Sequence, residues 1–192
     1  MKLLALNCPE CHQPLTPEND HIIVLCQECS TAVQIDEQGL NPIEIHYAAA
    51  AGDQIVAEWQ PFWIFTGKVD LLKRDTQGGH KSGGKAATEL WGHPRQFYVP
   101  AWELSMRTAQ SIGSQMVQQQ PRFTAGPSPT NPTLLPVVIA AADAIKLLEF
   151  IILAIEARRD DWLKDLQFRL DVESPSLWAL PGNYADLMIR NS

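Results

Sequence analysis

Cysteine is scarce in this chain of 192 residues: there are four, all inside two short pairs. The N-terminus MKLLALNCPE lacks an apolar run ahead of a small-residue cleavage site, so the thiols are expected in a reducing, cytoplasmic compartment rather than in disulfides. Bases are nearly missing from residues 1–47, where Glu10, Glu18, Asp20, Glu28, Asp36, Glu37 and Glu44 face Lys2 alone. Proteins that hold nucleic acid displace counterions from phosphates with Lys and Arg, so this deficit argues against nucleic acid as a partner. Also absent is any Ser-His-Asp, His-x-x-x-His or paired-carboxylate arrangement, which names no catalytic residue and leans the reading away from an enzyme. No stretch is apolar enough to span a bilayer. The most apolar one, 141–159, would immerse Asp143, Lys146, Glu149 and Glu156, each at a cost of roughly 3 kcal/mol.

The cysteines that are present form a pattern. Cys8-Pro9-Glu10-Cys11 and Cys26-Gln27-Glu28-Cys29 are two C-x-x-C pairs separated by fourteen residues. Two thiolates on one tight turn can bind the same ion, and two such turns facing each other complete a closed tetrahedral shell. The expectation is a structural Zn2+ held by Cys8, Cys11, Cys26 and Cys29 in a rubredoxin-like, mostly β zinc ribbon. Such a module is too small to fold around an apolar core alone and needs its metal. A rubredoxin iron site uses the same ligand set, but there glycine usually follows each pair and the pairs lie further apart, whereas His12 and Ser30 follow them here. Cys8 to His12 also spells the C-x-x-C-H motif of c-type haem attachment. That reading needs an export signal and leaves the second pair without a role, so His12 is read as a solvent-facing neighbour.

With 45% hydrophobic residues the chain can bury a sizeable core, and the organisation expected is a ribbon over 1–47 and an α+β body over 48–192. In the ribbon, Leu3 to Leu6 and Ile22 to Leu25 lead into the cysteine pairs as strands, Val33 and Ile35 supply a third, and Asp36 to Gly39 turns. Asn41-Pro42 reads as an exit before a strand at Ile43 to Tyr47. In the body, residues 59–72 alternate with period two: Trp59, Trp63, Phe65, Val69 and Leu71 share one face, while Phe62, Ile64 and Leu72 share the other. A strand apolar on both faces should run through the middle of the fold.

Residues 75–87 are polar with four glycines and read as a mobile loop, a long hairpin tip. Within them Gly79 to Lys85 matches G-x-x-x-x-G-K, yet Ala86 replaces the hydroxyl residue that would hold Mg2+, and Gly92-His93-Pro94 stops any following helix early. The second half of a nucleotide site, Ile151 to Glu156, falls in a helical pattern. Further on, Gln96 to Pro100 reads as a strand, and Pro100 as the start of a helix carrying Trp102, Met106, Ala109, Ile112, Met116 and Val117 on one buried stripe. Residues 121–136, with five prolines, read as an extended surface connection. A short strand at Val137 to Ile139 precedes a second main helix, Ala141 to Arg159. Leu166, Phe168, Leu170 and Val172 alternate with polar residues as a half-buried strand, followed by strands at Leu177 to Leu180 and Tyr184 to Ile189. The fold class is α+β: an antiparallel sheet with two main helices.

The cysteine pattern, Pro61-Phe62-Trp63 and Val99-Pro100-Ala101 together resemble a group of uncharacterised bacterial zinc-ribbon proteins, in which a CPxC ribbon precedes a PFW strand and a later VPA segment. The resemblance implies a cytoplasmic zinc-binding protein of unassigned activity, with no catalytic residues to carry over. The function expected is a non-catalytic protein-interaction module. One alternative is an enzyme using His80, Lys81, Lys85 or His93 on a small anionic substrate; another is nucleic-acid binding.

Overall fold

The computed structural model describes residues 6–18, 20–50, 56–78 and 82–182. In chain order the elements are β1 (Ile23–Leu25), β2 (Ala32–Asp36), β3 (Gly39–Ile43), β4 (Ile45–Tyr47), β5 (Trp59–Gln77), α1 (Ser82–Trp91), β6 (Arg95–Pro100), α2 (Met106–Gln119), α3 (Ala141–Ala157), β7 (Trp162–Val172) and β8 (Ser176–Pro181). They make an α+β fold with two mostly antiparallel sheets. The strands expected at Leu3 to Leu6 and at Tyr184 to Ile189 lie wholly or largely outside the described residues.

The long strand β5 carries the larger sheet. Along one edge it pairs with β6, from Phe62 opposite Pro100 to Gly67 opposite Arg95. Along the other it pairs first with β8 (Trp59–Ile64) and then with β7 (Gly67–Gln77), so β7 and β8 follow one another down the same edge. The Glu173 N–H bonds to the Thr66 carbonyl at 2.9 Å and keeps the ladder intact across their junction. Beyond β8 lies β4, and this pair is parallel, which corrects the expectation of a wholly antiparallel sheet. Gly67, paired on both edges, has no space for a side chain: a Cβ there would meet the carbonyl oxygen of Asp171 and the backbone of Val172.

The two-faced pattern of β5 is realised except at Leu72, which alternation places on the face of Phe62 and Ile64 but which is exposed beside a bulge between Leu71 and Lys73. Trp63, Phe65 and Val69 pack with Leu148, Ile151, Ile152 and Ile155 of α3. On the other face Phe62 and Ile64 pack with Tyr98, Trp102, Ile112 and Met116. Pro61 is accommodated within this central strand, and its carbonyl accepts the Ala101 N–H at 2.9 Å.

Four local expectations are corrected. The polar stretch after residue 72 is not a hairpin tip, because β5 continues to Gln77, where Arg74 finds buried partners, and a helix then begins. That helix, α1, forms despite Gly83 and Gly84 because Ala87 and Trp91, spaced at i and i+4, are almost wholly buried, so tertiary packing outweighs low propensity. It ends before Pro94, as the sequence requires. The helix expected from Pro100 starts instead at Met106. Pro100 belongs to β6, and Ser105, whose Oγ accepts the Thr108 N–H at 3.1 Å, is the cap. Trp102 is buried edge-on against Phe62 from outside the helix, and Met106 is largely exposed. Asn41-Pro42 is part of edge strand β3 rather than an exit, a place where the missing proline donor is tolerated. Val137 to Ile139 makes a single bridge, Val137 to Ile23, instead of a strand.

This bridge matters for the whole molecule. Val137 accepts the Ile22 N–H at 2.9 Å, Val138 donates to the Ala101 carbonyl at 2.9 Å, and the Trp63 indole N–H reaches the Ile139 carbonyl at 2.7 Å. The segment 137–139 therefore straps the small sheet to the large one, and Ile23 and Ala32 lie in the same core as Phe65 and Ile151. Among the described residues, no helix is long and apolar enough to cross a membrane.

Candidate metal centre

Two turns built alike carry the cysteines. In the first, the Cys8 N–H bonds to the Gln13 carbonyl at 2.8 Å and the His12 N–H to the Cys8 carbonyl at 2.9 Å. In the second, Cys26 N–H bonds to Thr31 at 2.9 Å and Ser30 N–H to Cys26 at 2.8 Å, the same two bonds at the same offsets. The last residue of each turn is left-handed: His12 has φ 62° and Ser30 φ 59°. A left-handed residue is where glycine is usually found, because a Cβ there crowds the following carbonyl at a cost of roughly 1–2 kcal/mol. Two such residues held at matched positions are the backbone's contribution to aiming four thiols at one point. Ser30→Gly is accordingly expected to leave metal content unchanged and to stabilise the fold slightly, by no more than about 1 kcal/mol, as read from urea unfolding of the metal-loaded protein.

The sulfurs converge. Cys8 Sγ lies 3.6 Å from Cys29 Sγ, Cys11 Sγ lies 3.5 Å from Cys26 Sγ, and all four are within 4.8 Å of one another. A tetrahedral ion with metal–sulfur bonds of about 2.3 Å would set its sulfurs about 3.8 Å apart, so the cluster needs only small adjustments to close on one. The cysteines are free thiols, and Cys8 and Cys26 are buried against Leu15 and Val33, with Leu6 and Leu40 packed alongside. His12 is exposed, as the sequence implied, and stands outside the cluster.

The electrostatics of the bare thiols are consistent with a site that could take a cation. The hydroxyl and backbone of Thr31 hold Cys29 down to about 6, with the Thr31 oxygen 3.2 Å from its sulfur. For Cys11 the Gln13 backbone pulls downward, but burial and the three neighbouring thiols outweigh it and push the group up to about 12. Four thiols this close cannot all ionise unless positive charge is supplied, which a bound metal ion would do.

The other residues singled out from sequence fall in three places. Gly79, His80 and Lys81 lie outside the described residues; Gly84 and Lys85 sit on α1; His93 is an exposed residue before β6. Ile151 to Glu156 is helical rather than the strand a nucleotide site would use. Sequence reasoning missed a buried ionic cluster on Glu156. The Trp91 indole donates to it at 2.8 Å, Arg74 Nε at 2.7 Å and Arg159 at 2.6 Å, while Arg74 also grips Asp161 with both terminal nitrogens, at 2.6 and 2.7 Å. The available signal was an acid on the apolar stripe of a helix, four residues after Ile152.

No protein family, curated protein or solved structure matches the chain.

Proposed function

We propose that this is a cytoplasmic zinc-binding protein in which residues 1–47 form a rubredoxin-like zinc ribbon and residues 48–192 the α+β body, and that it works as a non-catalytic protein-interaction module. The observation that carries the reading is the convergence of Cys8, Cys11, Cys26 and Cys29 on one point from two matched turns. Zinc is favoured over iron by the residues after each pair, His12 and Ser30, where rubredoxin-type sites have glycine. Four thiolates saturate a tetrahedral ion, so the metal would shape a surface and leave no coordination position for substrate. Trp162, at 75% exposure, is the large aromatic on the described surface suited to anchor a protein partner. Nucleic acid is disfavoured by the acidity of residues 1–47.

Elemental analysis of reduced, freshly purified protein is expected to find about one zinc per chain, as a single four-thiolate site requires. Iron in its place, or no metal, would overturn the zinc assignment. Co-purification of a protein that Trp162→Ser releases is the result expected of an interaction module; RNA in that fraction would move the reading to nucleic-acid binding.

A further inference from the structure

A groove of about 580 Å3 opens beside the start of β6, between the turn that ends α1 and the segment that leaves α2. Its lining includes His93, Arg95 and Arg122 and no acidic residue, in a chain whose net charge is -7. Arg95 is fixed: its guanidinium donates to the Leu90 carbonyl and, at 3.2 Å, to the Val117 carbonyl, capping the ends of α1 and α2. Both partners are helix-end carbonyls, which offset its charge only in part, and no carboxylate pairs with it among the described residues. Arg122 and His93 are exposed and make no hydrogen bond or ion pair among the described residues.

The walls are rigid as well as basic. Gln120 is held left-handed at φ 49°, its side chain bonded to the backbone of Gln96 at 3.0 and 2.8 Å and to Val117 at 2.9 Å. Gln120 is the left-handed residue that ends α2, its N–H bonded to the Met116 carbonyl at 2.8 Å, so these bonds fix the groove wall at a helix end. Phe123 presents a ring set edge-on to Tyr98 at 6.1 Å and tilted against Trp178 at 6.4 Å, a fixed apolar wall beside the cations.

We propose that this groove binds a small phosphate monoester with a planar organic body, the phosphate between Arg122 and His93 in the field of Arg95 and the body against Phe123. A phosphate monoester carries between one and two negative charges near neutral pH and several strong acceptors, which suits a guanidinium fork, an imidazole and a pinned second arginine better than a single carboxylate charge does. The volume is that of an ordinary small-molecule site.

The test uses the full metal-loaded chain in low-salt, phosphate-free buffer, with phenyl phosphate, inorganic phosphate and benzoate as probes and isothermal calorimetry as the readout. Phenyl phosphate is expected to bind more tightly than either other probe. Arg122→Ala should weaken it roughly tenfold or more, the worth of one charge-assisted contact, with Arg122→Lys in between and the melting temperature unchanged. His93→Ala is expected to weaken it less. Absence of phenyl phosphate binding at millimolar concentration, equal binding of benzoate, or affinity indifferent to both Arg122→Ala and His93→Ala would each overturn the proposal. A single-stranded oligonucleotide bound far more tightly than phenyl phosphate through Arg122 would overturn it in favour of nucleic acid.

Discussion

Cys8→Ser is expected to abolish metal binding and to lower the melting temperature of the body, not of the small sheet alone. A structural metal held by these thiols would contribute on the order of 10 kcal/mol to the folding of a module that has little core of its own, so the turns at 8–13 and 26–31 should open without it. The effect then travels. β1 is held between β2 and the 137–139 segment, and Ile23 and Ala32 fill the core that also contains Phe65 and Ile151. Opening β1 and β2 would bare those side chains and leave the Val137 carbonyl without the Ile22 N–H. Each lost core contact of this size removes roughly 1–3 kcal/mol. The Trp63 indole, bonded to Ile139 at the other end of the same strap, reports the change through fluorescence. Thermal melts followed at tryptophan, with and without a chelator, are the measurement. An unchanged body transition in the metal-free Cys8→Ser protein would show that the strap carries no coupling.

Those two sheets were legible in the sequence to very different degrees. Spacing alone found the four cysteines, because a C-x-x-C turn is local and its chemistry is fixed by residue type. Alternation found β5 and β7 for the same reason: period two is written into consecutive residues such as Leu166, Phe168, Leu170 and Val172. What local patterns hide is contact across the chain. β4 pairs with β8 more than a hundred residues later, and Arg74 meets Glu156 at a separation of 82 residues. The helix α1 was hidden by composition, since Gly83 and Gly84 signal a loop until the burial of Ala87 and Trp91 is known. Pro100 misled for a related reason. It fits the first turn of a helix and the end of an edge strand equally well, and only the pairing of Phe62 with Pro100 decides between them.

Arg74→Ala is expected to destabilise the body by about 3–5 kcal/mol, the cost of leaving buried carboxylates without their counter-ion. Glu156 is fully buried and Asp161 nearly so, and Arg74 is the group that joins them. Gly83 leaves room for the arrangement: a Cβ there would lie 2.6 Å from Asp161 Oδ2. Removing Arg74 strands two negative charges that Arg159 alone cannot neutralise. Arg74→Lys should recover little, because an ammonium cannot reproduce the paired bonds to Asp161 while also reaching Glu156. The same cluster sets an acid limit. Burial pushes Glu156 upward, but bonds from Arg159, Arg74 and Trp91 outweigh it and hold the carboxyl below its ordinary range; Arg74 holds Asp161 below its own. Carboxyls depressed in the folded state add stability that is fully present above their unfolded values, near 4 to 4.5, and is lost as pH falls through the folded ones. Stability should therefore be flat near neutrality and fall steeply below about pH 4. In Glu156→Gln, which keeps the shape and removes one titrating group, the midpoint of urea unfolding should fall at neutral pH and depend less on acid. A wild-type acid profile indistinguishable from that of Glu156→Gln would mean that the cluster does not govern acid stability.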